Sequence, residues 1–284
     1  MSAMTVPGRI DLHTHSSVSD GTDTPAELVR AAARSGLAVV ALTDHDTWDG
    51  LAEAARTGAE IGLEVVPGVE MSCGHRGSSV HLLGYGGDRT DPAWAAELAR
   101  IRDGRTERIP AMLRRLAALG MPLTEEEVAA QARNTPSIGR PHIADALVAR
   151  GYVASRDEAF AGYLAEGGPA YVDRYAPDVF AAVRTVRAAG AVPVIAHPWG
   201  RDSKRALPLE VLGELLAAGV AGWEVDHVEH GPEDRRRLRA YATTHGALIT
   251  GSSDYHGTGK THNPLGCEVT DPEQYARLRE LMGG

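Results

Sequence analysis

Leu37-Ala38-Val39-Val40-Ala41-Leu42 is an unbroken apolar run with no position suited to a solvent-facing side chain. A strand of that composition is covered on both faces, as in a parallel sheet flanked by helices. Similar runs recur along the chain: Arg9-Ile10-Asp11-Leu12, Leu63 to Ser72, Val80 to Tyr85, Ala191 to Pro198, Gly222 to Asp226 and Ala247 to His256. Helical stretches separate most of them. Thr24-Pro25-Ala26-Glu27 opens the first, with Thr24 as N-cap, Pro25 at N1 and Glu27 closing a capping box. Others are expected over Trp48–Ile61, Ala176–Ala189, Leu207–Ala218, Pro232–His245 and Pro272–Leu281. Seven strands alternating with helices predict an α/β fold with parallel strands and right-handed crossovers.

The alternation breaks once. Ala93–Arg105, Thr106–Leu119, Thr124–Ala132, Pro141–Arg150 and Arg156–Glu166 read as helices with no strand among them. The expected organisation is therefore one α/β unit over residues 9–90 and 174–284, interrupted by a helical subdomain over 91–173 that caps the substrate pocket.

Chemistry-bearing residues gather at the strand ends. His13 and His15 sit one residue apart, so an extended backbone turns both imidazoles to one side. Asp20 lies a loop away. Asp44 and His45 follow the second strand, Glu70 stands near the end of the third, and His81 lies in the fourth. His197 ends the fifth, and Asp254 and His256 end the last. Taken singly, each histidine reads as an ordinary core or surface residue. Taken together they are too many buried imidazoles and carboxylates to leave unpaired, because each costs several kcal/mol to desolvate. Divalent cations remove that cost. Ten such groups exceed the four to six ligands of one ion, so two or three ions are expected. A barrel that gathers all its strand ends at one mouth accommodates them better than an open sheet.

Other features narrow the function. A formal net charge of −9 disfavours binding to long duplex nucleic acid, which needs a basic surface. Bound cations would offset that charge locally and admit a small anion. Cys73 and Cys267 are the only cysteines, so no disulfide framework is expected. No apolar run approaches the ~20 residues that span a bilayer, and residues 1–7 lack the pattern of a signal peptide. A cytoplasmic protein with no membrane partner is expected. No Ser/His/Asp or Cys/His pattern argues for a covalent route. Arg140, followed by Pro141 and His142 at a helix start, can grip a phosphate bidentately. Lys260 and Arg201 are further candidates for an anion. Asp226-His227-Val228-Glu229-His230 reads as a solvated loop or as residues behind the ligands. His75 and His262 read as solvated, and Cys73 as structural.

His13-Thr14-His15, Thr43-Asp44-His45-Asp46, Pro67-Gly68-Val69-Glu70, His81, Ala196-His197-Pro198 and Ser253-Asp254-Tyr255-His256 together resemble the PHP (polymerase and histidinol phosphatase) family. The resemblance covers nearly the whole chain. It is closest to the branch acting on nucleotides and short oligonucleotides, through Gly139-Arg140-Pro141-His142 and Gly168-Pro169-Ala170-Tyr171-Val172. It implies a distorted seven-stranded (β/α) barrel and a trinuclear site. His13, His15, Glu70 and Asp254 would hold one ion, Glu70, His81 and His197 a second, and Asp20, His45 and His256 a third. Asp44 would orient ligands from behind. Mn is the expected ion, with Fe or Zn as alternatives, since the mixed N/O set does not choose. Asp20, Glu70, Asp254, Arg140 and His142 would be catalytic, and Arg140, His142 and Tyr171 would bind substrate. A metal-bridging hydroxide would attack phosphorus in line, because two cations lower the pKa of water from about 15.7 toward about 7. The expected activity is hydrolysis of a 3′,5′-bisphosphonucleotide, a nucleoside monophosphate or short 5′-phosphorylated RNA. A metal-dependent amidohydrolase and a non-catalytic metal-binding module are the competing readings. Oligomeric state is left open.

Overall fold

A computed structural model describes residues 8–132, 138–200 and 203–283. Arg201 lies outside the described residues, as does the 1–7 segment. Seven strands form one sheet in chain order: β1 Arg9–Asp11, β2 Leu37–Leu42, β3 Glu64–His75, β4 Ser78–Gly86, β5 Ala191–Ile195, β6 Gly222–Asp226 and β7 Leu248–Gly251. A bridge between Thr14 and Tyr255 links the segments that follow β1 and β7. Outside the sheet lie α1 Pro25–Arg34, α2 Leu51–Ile61, α3 Pro92–Glu107, α4 Ile109–Ala118, α5 Glu125–Ala132, α6 Arg140–Ala149, α7 Arg156–Ala159, α8 Val179–Ala188, α9 Leu209–Ala218, α10 Pro232–Thr244 and α11 Pro272–Leu281. The α1 capping box forms as the sequence predicts, with Thr24 accepting from the Glu27 N–H and Glu27 accepting from the Thr24 N–H.

The core explains the apolar runs. Val39 and Ala41 point to one side of β2, where they join Ile10, Leu12, Leu83, Tyr85, Val194 and Leu248 in an inner cluster. Val40 and Leu42 point the other way and pack with Leu28, Val29, Ala32, Leu51 and Ala54 of α1 and α2. Successive side chains of a strand alternate, so both faces must be apolar here. Tyr275 and Leu278 of α11 join the inner cluster.

Not every strand is parallel. β4 runs antiparallel to both β3 and β5. The expected all-parallel sheet is thus corrected at one strand, because β3 and β4 form a hairpin rather than a crossover unit. Arg76 and Gly77 make its turn at φ 50° and 78°, both in the left-handed region that such tight hairpins need. The reversal has a consequence for the site. His81 stands near the start of β4, not at its C-terminal end. Because the strand is inverted, its start meets the C-terminal ends of its neighbours.

Residues between β4 and β5 build a separate apolar cluster. Met112, Leu116, Val128, Ile143, Leu147, Leu164 and Ala170 are buried together. The helix expected over Arg156–Glu166 is instead the single turn α7 followed by a π-helical turn, Phe160–Leu164.

Candidate metal centre

Glu70 is the hub. It is 1% exposed near the middle of β3, and five histidines reach it. Its Oε1 lies 2.7 Å from His81 Nδ1 and 3.2 Å from His197 Nε2. Its Oε2 lies 3.0 Å from His45 Nδ1, 3.1 Å from His15 Nε2 and 3.3 Å from His13 Nε2. Asp254 Oδ1 faces His15 Nε2 at 3.4 Å and His13 Nε2 at 3.7 Å. Asp20 faces His256 Nε2 at 3.2 Å and His45 Nε2 at 3.7 Å.

These donors fall into three overlapping groups: His13, His15 and Asp254; His45, Glu70 and His81; and His15, Asp20, His45 and His256. The chain thus brings together all nine residues that the sequence nominates as ligands. His197 enters through Glu70, and His15 and His45 each belong to two groups.

The arrangement fits divalent cations. Two N/O ligands each ~2.1 Å from one ion, at octahedral or tetrahedral angles, lie about 3.0–3.4 Å apart. Most of the separations above match. His13 Nε2 and His15 Nε2 are only 3.0 Å apart, a pairing of ring nitrogens that a shared cation explains. Buried His45 Nδ1 makes no hydrogen bond although Glu70 Oε2 lies 3.0 Å away.

Electrostatics hold the carboxylates ionised and divide the histidines. Burial alone would raise the Glu70 carboxyl, but His45, His81 and His13 hold it well below the usual range. Burial opposes the ionised form of Asp20 too, and His256 and His45 overcome it. Asp254 is held low against its burial by Lys260, His256 and His13. Burial pushes His45 down, and burial with the Lys260 and His15 charges pushes His256 to about 3. Against their burial, Glu70, Glu224 and Asp254 hold His13 well above the ordinary imidazole value, and Asp254 and Glu70 raise His15 to about 9, so these two rings carry protons that a bound cation would displace.

A further set of buried residues supports these. Asp44 accepts from Ser16 N–H at 2.8 Å and Ser16 Oγ–H at 2.7 Å, which shapes the loop carrying Asp20. Glu224, fully buried on β6, lies 3.2 Å from His13 Nδ1 and accepts from the His197 N–H at 2.8 Å and from Ser252. Glu224 belongs to no motif of the sequence. Its signal was a lone carboxylate between Trp223 and Val225 in an apolar strand. Asp11 ties β1 to the β7 side by accepting from Ser253 N–H and Gly266 N–H. His227 and His230 are buried, which removes the solvated-loop reading. His227 Nε2 stands 3.7 Å from Asp254. His75 is also partnered, with Asp178 at 3.0 Å. Cys73 is buried and its thiol is pushed well up by burial, which suits a structural role. His197 and Asp254 hold φ of 26° and 52°. Such backbone strain in non-glycine residues clusters at functional sites.

Above the hub opens a cavity of about 980 Å³, lined by Asp20, His45, His81, His197 and His256. Arg105, Arg108, Arg140, His142, Arg156, Arg174 and Lys260 line the same cavity, and Arg156 donates to Asp20 O at 3.2 Å. Arg140 donates to Leu164 O at 3.0 Å and packs between the Phe160 and Tyr171 rings. Tyr171 is not on the cavity wall; it stands behind Arg140. His142 Nδ1 accepts from the Gly139 N–H at 3.0 Å, which fixes the start of α6. Lys260 pairs with Asp254, so this expected anion group is bound to the hub itself.

Comparison with known proteins agrees with this geometry. The PHP domain model matches residues 11–91. A 3′,5′-nucleoside bisphosphate phosphatase of Chromobacterium violaceum is 38% identical over 90% of this chain and 90% of its own. A 5′-3′ exoribonuclease of Haemophilus influenzae is 32% identical over 87% of this chain and 90% of its own. Among solved structures, one assigned as a metal-dependent phosphoesterase from Bifidobacterium adolescentis superposes with TM-score 0.92 at 37% identity, covering 96% of each chain. An amidohydrolase from Chromobacterium violaceum, with sulfate bound and no metal, superposes with TM-score 0.87 at 37% identity over the same share. The chain belongs to the PHP family of metal-dependent phosphoesterases.

Proposed function

We propose that this hydrolase removes or cleaves phosphate esters of small nucleotides: a 3′,5′-bisphosphonucleotide first, then a nucleoside monophosphate or the end of a short 5′-phosphorylated RNA. The observation that carries this reading is the cavity itself, lined both by five of the nine candidate metal ligands and by guanidinium groups. A phosphate ester satisfies both sets at once, and the relatives named above act on such esters.

His13, His15, Glu70 and Asp254 would hold one divalent ion, Glu70, His81 and His197 a second, and Asp20, His45 and His256 a third. Mn is the ion we assign first, with Fe or Zn as alternatives. When bound, the ions supply Lewis acidity toward the phosphoryl oxygens and an activated water. The chain's own residues do the rest. Asp20, Glu70 and Asp254 stay ionised and fix the charge of the site. Arg140, anchored on Leu164 O beside the Phe160 and Tyr171 rings, presents its fork to phosphate. His142, held by the Gly139 N–H, closes the same wall. Residues 91–173 act as the substrate cap on the barrel unit of 9–90 and 174–284. The pocket admits single nucleotides and loose ends rather than duplex. A cytoplasmic location is in keeping with two free thiols; among the described residues no helix is long and apolar enough to cross a membrane.

Phosphate release by Mn-loaded protein tests the reading. Arg140→Ala is expected to lower kcat/KM on phosphate esters roughly 100-fold with metal content unchanged. The name of one structural neighbour favours a second reading, amide-bond hydrolysis. In that case Arg140→Ala would leave phosphate-ester turnover absent in both proteins while amide turnover persists.

A further inference from the structure

The fork of Arg156 is already filled. Its Nε donates to Asp145 Oδ1 and its Nη2 to Asp145 Oδ2, each at 2.5 Å. Asp145 lies on α6 and Arg156 opens α7, so the pair ties two helices of the segment between β4 and β5. Ser155 caps α7 by accepting from the Glu158 N–H, which fixes where Arg156 starts. The two side chains are 15% and 26% exposed, which shields the pair from the screening that weakens surface ion pairs. With its bidentate edge on a carboxylate, Arg156 cannot offer that edge to a phosphate. Its Nη1 instead crosses to the barrel unit and donates to Asp20 O.

That carbonyl belongs to a candidate metal ligand. Gly21 N–H donates to Ser16 O at 3.0 Å and Thr22 N–H to His256 O at 3.2 Å. Thr258 N–H donates to Thr22 Oγ1 at 2.9 Å. The loop bearing Asp20 is thus stitched to the turn Gly257–Gly259 that follows His256. Gly259 lies directly against the guanidinium, because a Cβ there would overlap Nη1. Arg156 therefore seats on both loops at once. Those loops supply Asp20 and His256 to the ligand group of His15, Asp20, His45 and His256. A bare guanidinium at this place would repel a divalent cation. The Asp145 carboxylate cancels its charge and leaves an orienting donor. Leu147, two positions further along α6, turns to the apolar cluster instead, so the clamp is separate from that core.

We propose that Arg156, clamped by Asp145, is a positioning residue for the third ion. It fixes the Asp20 loop and the His256 turn relative to each other from across the cavity. This rests on the metal-centre reading above and goes beyond it, because the occupancy of one ion then depends on the helical segment.

Equilibrium dialysis against Mn, followed by elemental analysis, tests this on wild type, Arg156→Met, Asp145→Asn and Gly259→Ala. Wild type is expected to hold three ions. At the Mn concentration that just fills wild type, each variant should hold two and regain the third only at roughly tenfold higher Mn or more. Gly259→Ala keeps both charges and displaces only the flexible end of Arg156, so it tests position rather than charge. The double variant Asp145→Asn with Arg156→Met should match Arg156→Met, because Asp145 acts through Arg156. Additive losses would overturn the clamp. Equal weakening of all three ions in Arg156→Met would also overturn the proposal. So would an unchanged Mn count with weaker binding of adenosine 3′,5′-bisphosphate, which would make Arg156 a phosphate ligand. Hydrogen exchange of metal-free protein separates the clamp from the metal reading. The Gly21, Thr22 and Gly259 amides should exchange at least tenfold faster in Arg156→Met, with those of β2 unchanged. Faster exchange in a protein whose wild type holds fewer than three ions would support the clamp and overturn the three-ion centre. Unchanged exchange would overturn the clamp whatever the Mn count.

Discussion

Glu224 shows how a residue that touches no substrate can set the properties of the site. It lies against His13 Nδ1, so the proton sits on that nitrogen and Nε2 is left to face Glu70 and Asp254. Burial opposes its ionised form, but His13 first, with His227 and His197, holds the carboxyl at about 2. Such partners behind a ligand typically carry 10- to 100-fold in metal affinity. Glu224→Gln is therefore expected to weaken Mn binding by about that factor, read by metal titration, with the fold intact. Unchanged affinity would mean that His13 is oriented by its backbone alone. His230 offers a test of a different kind. Its Nδ1 donates to Val225 O at 3.0 Å and its Nε2 accepts from the Trp199 N–H at 3.3 Å, so the neutral ring is built in. Burial lowers it to about 4. The unfolded chain, with an ordinary imidazole near 6.5, takes up a proton first as pH falls. The stability tied to His230 is thus complete above about 6.5 and is lost toward 4. Between pH 7 and pH 5 the loss is about 2 kcal/mol. Denaturant titrations of metal-free wild type and His230→Gln should differ in pH dependence by that amount, and parallel curves would refute the assignment.

At the scale of elements, the helical segment between β4 and β5 holds its own apolar cluster while lending arginines to the cavity. Leu147, fully buried on α6, sits in that cluster and on the helix that begins with Arg140. Leu147→Ala is expected to cost 2–5 kcal/mol by the usual price of a core cavity. It should also lower phosphate-ester turnover while Mn content stays normal, because no metal-ligand candidate lies on α6. Loss of Mn in this variant would show that the two layers do not act separately. The elements also show what a sequence reveals. Strands buried on both faces announce themselves as apolar runs, and their polar ends nominate nine residues that the fold does bring together. The direction of β4 was harder to read, although a signal existed. Seven residues separate Ser72 from Val80, too few for a crossover connection, which needs a dozen or more. Arg105, Arg108 and Arg174 carry no such signal in the sequence. Arginines on helices and loops usually lie in solvent, and only the folded chain turns these three into one cavity.

For the whole molecule, the sheet contributes to one hub from nearly every strand: His13 and His15 beyond β1, His45 beyond β2, Glu70 on β3, His81 on β4, His197 beyond β5, and Asp254 and His256 beyond β7. Ions that bind there tie distant parts of the chain together and bind the folded state alone. One such site at 100 times its Kd adds about 2.7 kcal/mol. Chelation should therefore lower the melting temperature by at least ~5 °C, and Mn should restore it. A melting curve indifferent to both would refute metal binding at this hub. The central claim is hydrolysis of a nucleotide phosphate ester at that centre. Its most direct test is inorganic phosphate release from adenosine 3′,5′-bisphosphate by Mn-loaded protein, before chelation, after it, and after Mn is returned. The account predicts release that stops on chelation and resumes with Mn. Mn bound in full, with no phosphate released from this substrate, from AMP or from a 5′-phosphorylated oligoribonucleotide, would contradict it.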